Sequence, residues 1–379
     1  MRVYIKSVGM TKFDVSRRGS YERIREAVDE SLSVSGMDFN EIDVIFASNS
    51  ESERNEEMQR HQGPMLSTLF QRKIPILNIP AGCGGGGVAL WNSINYLRSS
   101  NAKNIMVIGY DNVVSGTTEI LTDEILMGSE SVHEQTEGLI FPAQNALVAQ
   151  QYMRRYDATT DDLALISLKN HENAYHNPKA RFYGKKVTLD MIKNSPIVAS
   201  PLRLFDCSIS VNGAATTIIS KEPTDIEIVG SGMCTTSLSP MEREDMTSMN
   251  ATIKAAKISY EQAGIKPKQL DIAELHDAFT PLELISYEDL GFCGKGKGSK
   301  LIREGATEIN GKLPVNTSGG LKAKGHPISP TGLSQIYEVV NQMKGRCGKR
   351  QIDVPKYGLT QNIGGVGTMV AIHILRNLG

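Results

Sequence analysis

Apolar runs of strand length alternate with stretches of helical periodicity along this chain, and the alternation is run through twice. In the first half, residues 3–7 read as a strand, and residues 21–34 follow with Ile24, Ala27, Val28 and Leu32 at helical spacing, ending near Gly36. Buried strands are expected at 42–47 and 76–79, then a glycine run, a helix over 88–97 and a strand over 105–109. The second half repeats the order. A strand at 226–229, a helix over 249–263, a strand at 272–275 and a helix over 281–290 come first; a strand at 313–316, a helix over 331–343 and two strands at 357–361 and 368–374 follow. Such alternation predicts a largely parallel sheet covered by helices. Asp43-Val44-Ile45-Phe46-Ala47 and Asp271-Ile272-Ala273-Glu274-Leu275 take equivalent places in the two halves. The chain therefore reads as a duplicated α/β protein, with an N-terminal half over 1–235 and a C-terminal half over 236–379. The duplication rests on element order, because residue identity between the halves is weak.

Residues 112–200 fit neither half. They are polar and mixed, with charged patches at 130–137 and at Lys185-Lys186. A long insertion in an α/β fold usually serves as a lid, a binding loop or an oligomer arm.

The 379 residues are too many for one small core, and 40% hydrophobic with 22% charged residues is an ordinary globular balance. A net charge of −1 gives no electrostatic case for nucleic acid or an anionic membrane as the main partner. No apolar stretch approaches the ~18 residues that span a bilayer. The start, Met1-Arg2-Val3-Tyr4-Ile5-Lys6, is strand-like and has no apolar signal region. The five cysteines, Cys83, Cys207, Cys234, Cys293 and Cys347, are scattered and form no CxxC pair. A disulfide framework or a zinc site is not expected from that spacing, and a reducing cytoplasm fits it.

Four segments carry residue types suited to chemistry. In Asn78-Ile79-Pro80-Ala81-Gly82-Cys83-Gly84-Gly85-Gly86-Gly87-Val88, a strand enters, a glycine turn follows and a helix leaves. Cys83 would then sit near a helix N-terminus, where unpaired N–H groups and the positive dipole end favour a thiolate. The plain alternatives are a small buried cysteine beside a flexible turn, or a phosphate loop. Neither a Walker Lys-Ser/Thr nor a GxGxxG follows to support the second. In Asn316-Thr317-Ser318-Gly319-Gly320-Leu321-Lys322-Ala323-Lys324-Gly325-His326-Pro327, glycine and proline fix a histidine whose ordinary pKa near 6.5 suits a base for a thiol; a solvated loop with two solvated lysines reads equally well. His276-Asp277-Ala278-Phe279 lies at the C-terminal end of a strand, where catalytic groups of α/β sheets gather, and Asp277 there can equally cap the next helix. In Gln361-Asn362-Ile363-Gly364-Gly365-Val366-Gly367, Gly364 and Gly365 could present backbone N–H groups to an oxyanion, or simply form a tight hairpin.

Together these segments resemble the thiolase superfamily across almost the whole chain. Cys83 in its glycine turn matches the family's nucleophile, and Gly325-His326-Pro327 its GHP motif. Ser200-Pro201-Leu202-Arg203-Leu204-Phe205-Asp206-Cys207-Ser208, Leu290-Gly291-Phe292-Cys293 and His276-Asp277-Ala278-Phe279 resemble the archaeal and sterol-carrier-type branch. Biosynthetic thiolases usually carry Asn-Glu-Ala-Phe at the last of these. The resemblance implies a five-layered αβαβα fold of two similar halves with the active site where they meet. It implies a homodimer or homotetramer, coenzyme A as a substrate component and no metal or other cofactor. The implied activity is that of an acetyl-CoA C-acyltransferase, condensing or cleaving acetoacetyl-CoA or a short 3-ketoacyl-CoA, with a place in isoprenoid precursor supply. His326 would take the proton of Cys83, His276 and His326 would serve enolate formation, and Ser318 and Gly319 would meet substrate and CoA.

The sequence departs from the family at two positions. Many thiolases take a second acid/base from a cysteine in a C-terminal Cys-x-Gly motif, and Gln361-Asn362-Ile363-Gly364 has none. Sterol-carrier-type thiolases can take it from His-Asp-Cys-Phe, where this chain has Ala278; branch relatives often carry histidine where it has Gln361. A group from 112–200, a double role for His326 or His276, or a partner would fill the gap. Some archaeal relatives work with 3-hydroxy-3-methylglutaryl-CoA (HMG-CoA) synthase and a small OB-fold acyl-CoA-binding protein. A ketoacyl synthase, which also uses a cysteine with two histidines, and a non-catalytic thiolase-like subunit are the rival readings.

Overall fold

The computed structural model describes residues 1–50, 59–114 and 117–379. The first half runs β1 (Tyr4–Met10), α1 (Ser20–Ser35), β2 (Val44–Ser48), α2 (Gln62–Phe70), β3 (Ile76–Asn78), α3 (Gly85–Ser99) and β4 (Asn104–Asp111). The insertion folds as α4 (Thr118–Leu126), α5 (Phe141–Arg155), α6 (Thr160–Tyr175), α7 (Leu189–Lys193) and a small hairpin of β5 (Ile197–Ala199) and β6 (Leu202–Arg203). β7 (Gly213–Ser220) then returns to the first sheet. The second half holds β8 (Ile226–Thr235), α8 (Asn250–Ala263), β9 (Ile272–Glu274), α9 (Thr280–Asp289), α10 (Gly298–Arg303), α11 (Thr331–Met343), β10 (Tyr357–Gly364) and β11 (Met369–Asn377).

The strand order makes the duplication visible. The first half is ordered β3-β2-β4-β7-β1, with β2 parallel to β3 and β4, and β7 antiparallel to β4 and β1. The second is ordered β9-β10-β11-β8, with β9 parallel to β10 and β11 antiparallel to β10 and β8. The strand expected at 313–316 survives as a single parallel bridge, Val315 to Ala273 on the outer side of β9. It completes the same order in the second half. Parallel strand pairing is confined to β3-β2-β4 in the first half and β9-β10 in the second, and the last strand of each half runs against its neighbours, so the sheet is mixed. β2 and β9 are the second strands of their halves, in line with the equivalence read from 43–47 and 271–275. The two sheets meet edge to edge through one pair, Tyr4 and Glu227, so β8 lies in the sheet of the second half.

Helix packing gives the five layers. α1 covers β1 and β7 on one outside, and α8 covers β8 and β11 on the other. α3 and α11 lie between the sheets, each touching strands of both halves. Leu90, Ile94, Leu333 and Ile336 fill that middle layer and are all fully buried. The two central helices cross at glycine. A Cβ on Gly332 would lie 2.4 Å from the Gly87 nitrogen, so no side chain fits there. Because α11 is buried over most of its surface, its buried polar residues need internal partners. Gln335 Nε2 donates to the Gln361 carbonyl at 2.8 Å, and Glu338 pairs with Arg350.

β7 has no counterpart among the expected strands, because its Gly213-Ala214-Ala215 start dilutes the β-branched signal of Thr216–Ile219. Among the described residues no helix is long and apolar enough to cross a membrane.

Candidate active site

β3 ends at Asn78, and the chain turns through Gly82, at φ +49°, before α3 begins at Gly85. Cys83 sits half-buried in that turn, at the start of the helix, and lines a cleft of about 490 Å³. Gly364 and Gly365 line the same cleft from the end of β10. A Cβ on Gly84 would lie 3.2 Å from the Gly364 nitrogen, so the two glycine turns press together backbone to backbone. The insertion supplies the opposing wall through Glu124, Ile125, Met127 and Phe141. Of the five cysteines only Cys83 is among the lining residues.

Behind the cleft stand the two histidines. His276 follows β9 and His326 precedes α11, and their rings meet edge to face with centroids 5.2 Å apart at 88°. His326 Nδ1 lies 2.8 Å from the Thr331 hydroxyl at the first turn of α11, and its backbone N–H donates to the Ile209 carbonyl at 2.9 Å. Burial holds the His326 pKa down at about 3 and the His276 pKa well below the ordinary value, with the neighbouring imidazole adding to the second shift. Both rings are therefore neutral at pH 7, which is the state in which an imidazole can accept a proton or donate a neutral hydrogen bond.

Asn362 ties the cysteine turn to the histidines. Its Nδ2 donates to the Cys83 carbonyl at 2.9 Å and lies 3.3 Å from His276 Nδ1, while its Oδ1 accepts the Gly87 N–H at 2.9 Å. Sequence reading missed this residue and weighed Gln361 instead. Strand alternation separates them: successive side chains of β10 face opposite ways. Gln361 Nε2 points outward to the Thr252 hydroxyl of α8 at 3.0 Å, and Asn362 points inward to the cleft. A polar amide on the inward register of a strand otherwise facing the middle layer was the available signal.

The loop from Asn316 to His326 is an internal structure, and its lysines are not solvated as the plain alternative had it. Lys322 and Lys324 are each 1% exposed. Lys322 Nζ donates to the Asp206 carbonyl at 2.7 Å, and Lys324 Nζ stands 3.8 Å from Glu274. Asp277 accepts the Leu321 and Lys322 N–H groups at 2.6 and 3.2 Å and does not cap α9, whose N-cap is Phe279 with no side-chain cap. Burial raises the Asp277 carboxyl to about 6, with Glu283 adding to the rise. Ser318 donates through its hydroxyl to Glu274 at 2.5 Å and is fully buried, and Gly319 packs against Ala174 of α6. Neither is among the residues that line the Cys83 cleft, and the same holds for His276 and His326. Among the described residues no group of three His, Cys, Asp or Glu side chains is placed to hold a metal ion.

Comparisons with known proteins identify the family. The family model for the thiolase N-terminal domain matches residues 3–200, and that for the thiolase C-terminal domain-like family matches 232–377. The acetyl-CoA acetyltransferase of Methanothermobacter thermautotrophicus is 34% identical, over 98% of each chain. Sterol carrier protein 2 of Bos taurus is 28% identical over 97% of this chain and 71% of its own. A solved structure described as the Ltp2-ChsH2(DUF35) aldolase superposes with a TM-score of 0.84 at 23% identity, covering 100% of this chain and 98% of that one. With both family models matched in order and the archaeal relatives aligned end to end, the chain belongs to the thiolase superfamily, in its archaeal and sterol-carrier-type branch, and is an acyltransferase.

Proposed function

We propose that this enzyme is an acetyl-CoA C-acyltransferase that forms or cleaves acetoacetyl-CoA, or a short 3-ketoacyl-CoA, through an acyl–Cys83 intermediate. The observation that carries the reading is the linkage of the Cys83 turn, at the start of α3 and against the Gly364 turn, to the His276–His326 pair through the side-chain amide of Asn362. His326 takes the thiol proton of Cys83, and the thiolate attacks the thioester carbonyl of acetyl-CoA. The carbon–sulfur bond to CoA breaks, and CoA leaves with the proton held by His326. A second acetyl-CoA then loses an α-proton, and its carbanion attacks the acyl carbon. The Cys83 thiolate leaves as the new carbon–carbon bond forms. Backbone N–H groups at Gly364 and Gly365 and the ring of His276 are the proposed oxyanion donors.

The second base is Glu124 in this reading. It is the only carboxylate among the described residues that line the cleft, and it comes from the insertion. Ala278 and Asn362 leave no thiol at either position used by relatives.

The exposed residues of edge strand β3, Leu77 and Asn78, support a homodimer or homotetramer built on that edge. In this reading the enzyme works in the cytoplasm and serves isoprenoid precursor supply. Condensation runs uphill, so it would need a consuming enzyme such as HMG-CoA synthase. The absence of a second thiol also favours a second reading, a subunit that needs an OB-fold acyl-CoA-binding partner. The two-component name of the Ltp2-ChsH2(DUF35) aldolase supports a search for one.

The test is intact mass after incubation with acetyl-CoA. A single acetyl adduct on the wild type that is absent from Cys83→Ala is expected. A folded wild type with no adduct in excess acetyl-CoA would move the assignment to the partner-dependent reading.

A further inference from the structure

We infer that Asn362 is a positioning residue that holds His276 as the tautomer protonated on Nε2, so that His276 presents a hydrogen-bond donor and not a base. The groups around the Asn362 amide have fixed roles. The Gly87 backbone N–H can only donate, and it meets one end of the amide at 2.9 Å, so that end is the oxygen. The Cys83 carbonyl can only accept, and it meets the other end at 2.9 Å, so that end is the NH2 group. Two independent contacts thus fix the amide orientation. The second hydrogen of the same NH2 group faces His276 Nδ1 at 3.3 Å. That nitrogen must offer a lone pair, and in a neutral ring the proton then sits on Nε2.

The anchor is itself held rigidly. Gly87 belongs to the first turn of α3, whose N–H groups have no partner within the helix, and Asn362 caps it from another strand. The Gly87 carbonyl accepts from His373 Nε2 at 3.0 Å, so the residue is pinned on both faces. The amide cannot turn over without losing the bonds to Gly87 and Cys83 together.

Taking a proton at Nδ1 would turn that nitrogen into a donor facing a donor. His276 is thereby excluded as the missing second base, and its Nε2–H is left to stabilise a developing oxyanion. This consequence rests on the acyl-transfer reading; the tautomer does not.

The experiment is a long-range proton–nitrogen correlation spectrum of the full chain labelled with nitrogen-15 histidine, which contains seven histidines. His276 is assigned by its loss in His276→Gln. The expected result is an unprotonated Nδ1 and a protonated Nε2 in the resting protein from pH 6 to 8. Asn362→Asp keeps the acceptor for Gly87 but replaces the NH2 group, and with it the donors to His276 and to the Cys83 carbonyl, with a carboxylate oxygen. Nδ1 should then gain a proton, and C–C condensation should fall ~100- to 1000-fold, the scale of one lost oxyanion donor. A protonated Nδ1 in the wild type overturns the inference, and so does a His276 spectrum that Asn362→Asp leaves unchanged. The wild-type spectrum decides even if the variant does not fold. It is recorded without substrate, so a missing acetyl adduct would overturn the function while leaving the tautomer standing.

Discussion

Glu274 and Lys324 face each other across 3.8 Å with both side chains 1% exposed, and each stands two residues before one of the two histidines. The pair clamps the His276 segment to the His326 segment. The Glu274 carboxylate also accepts the Ser318 N–H at 3.0 Å and the Ser318 hydroxyl, so the loop bearing His326 hangs on it. Burial raises the Glu274 carboxyl to about 7, Lys324 draws it back, and Glu338 pushes it further up.

Removing one partner of such a pair leaves a buried charge. Lys324→Met should therefore destabilise by ~3 kcal/mol or more at pH 8, read from urea unfolding. At pH 6 the stranded Glu274 can take a proton and become neutral, so the loss should shrink. The double variant Glu274→Gln with Lys324→Met should recover most of it at both pH values. A loss that is the same at pH 6 and pH 8 would refute the charge explanation.

Acid should weaken the fold well before ordinary carboxylates titrate. Burial holds His171 and His373 down at about 4, His326 at about 3 and His276 well below its ordinary value. In the unfolded chain each takes a proton below ~6.5. Between those limits the unfolded state binds more protons, so stability falls as the pH falls. Asp277 and Glu274 act in the opposite sense, because burial raises them to about 6 and about 7 and the fold binds their protons first. Burial raises Asp289 and Glu172 in the same sense as these two, but by less, so the four histidines dominate and stability should fall between pH 6 and pH 5. The urea midpoint measured at both values checks the sign, and a midpoint that rises on acidification would contradict it.

Much of this was legible in the sequence because it depends on local signals. The helices at 249–263 and 331–343 follow from periodicity, and Cys83 and His326 stand out against glycine and proline. The equivalence of 43–47 with 271–275 needed only element order. What could not be read depends on contacts between segments distant in the chain. The polarity of 112–200 hid four helices whose apolar faces are short, among them the one that brings Glu124 to the cleft. Lys322 and Lys324 look solvated until Asp206 and Glu274, far away in the sequence, are placed beside them. The choice between Gln361 and Asn362 turns on which register of β10 faces inward, a signal that strand alternation offers but that two adjacent polar residues make easy to misassign.

Replacing Glu124, the proposed second base, should separate the two half-reactions. Glu124→Gln keeps the size and polarity of the side chain but removes its proton-accepting charge. Acetylation of Cys83, read by intact mass, should proceed at the wild-type rate. Formation of acetoacetyl-CoA should fall ~100- to 10,000-fold, the range for loss of a positioned base. Exchange of the α-protons of acetyl-CoA in deuterated water should fall in parallel. Unchanged condensation would return the second proton transfer to His326 or to a partner.

The crossing of α3 and α11 links stability to chemistry. A methyl group on Gly332 would lie 2.4 Å from the Gly87 nitrogen and 2.5 Å from Asn362 Oδ1, at the bond that orients the Asn362 amide. Gly332→Ala must push the helices apart, at a cost of ~1–3 kcal/mol for overpacking a close contact. Gly36→Ala makes a fair control. Gly36 ends α1 at φ +67°, and a methyl group added there would meet no atom within 4 Å, so the variant costs a similar ~1–2 kcal/mol through backbone conformation alone. Both variants should unfold at lower urea concentration. Only Gly332→Ala should also slow acetylation of Cys83, because only there does the added methyl reach the hydrogen bonds that hold the cysteine turn. Equal acetylation rates in the two variants would mean that the turn keeps its shape without the crossing, and that Asn362 finds its orientation from Cys83 alone.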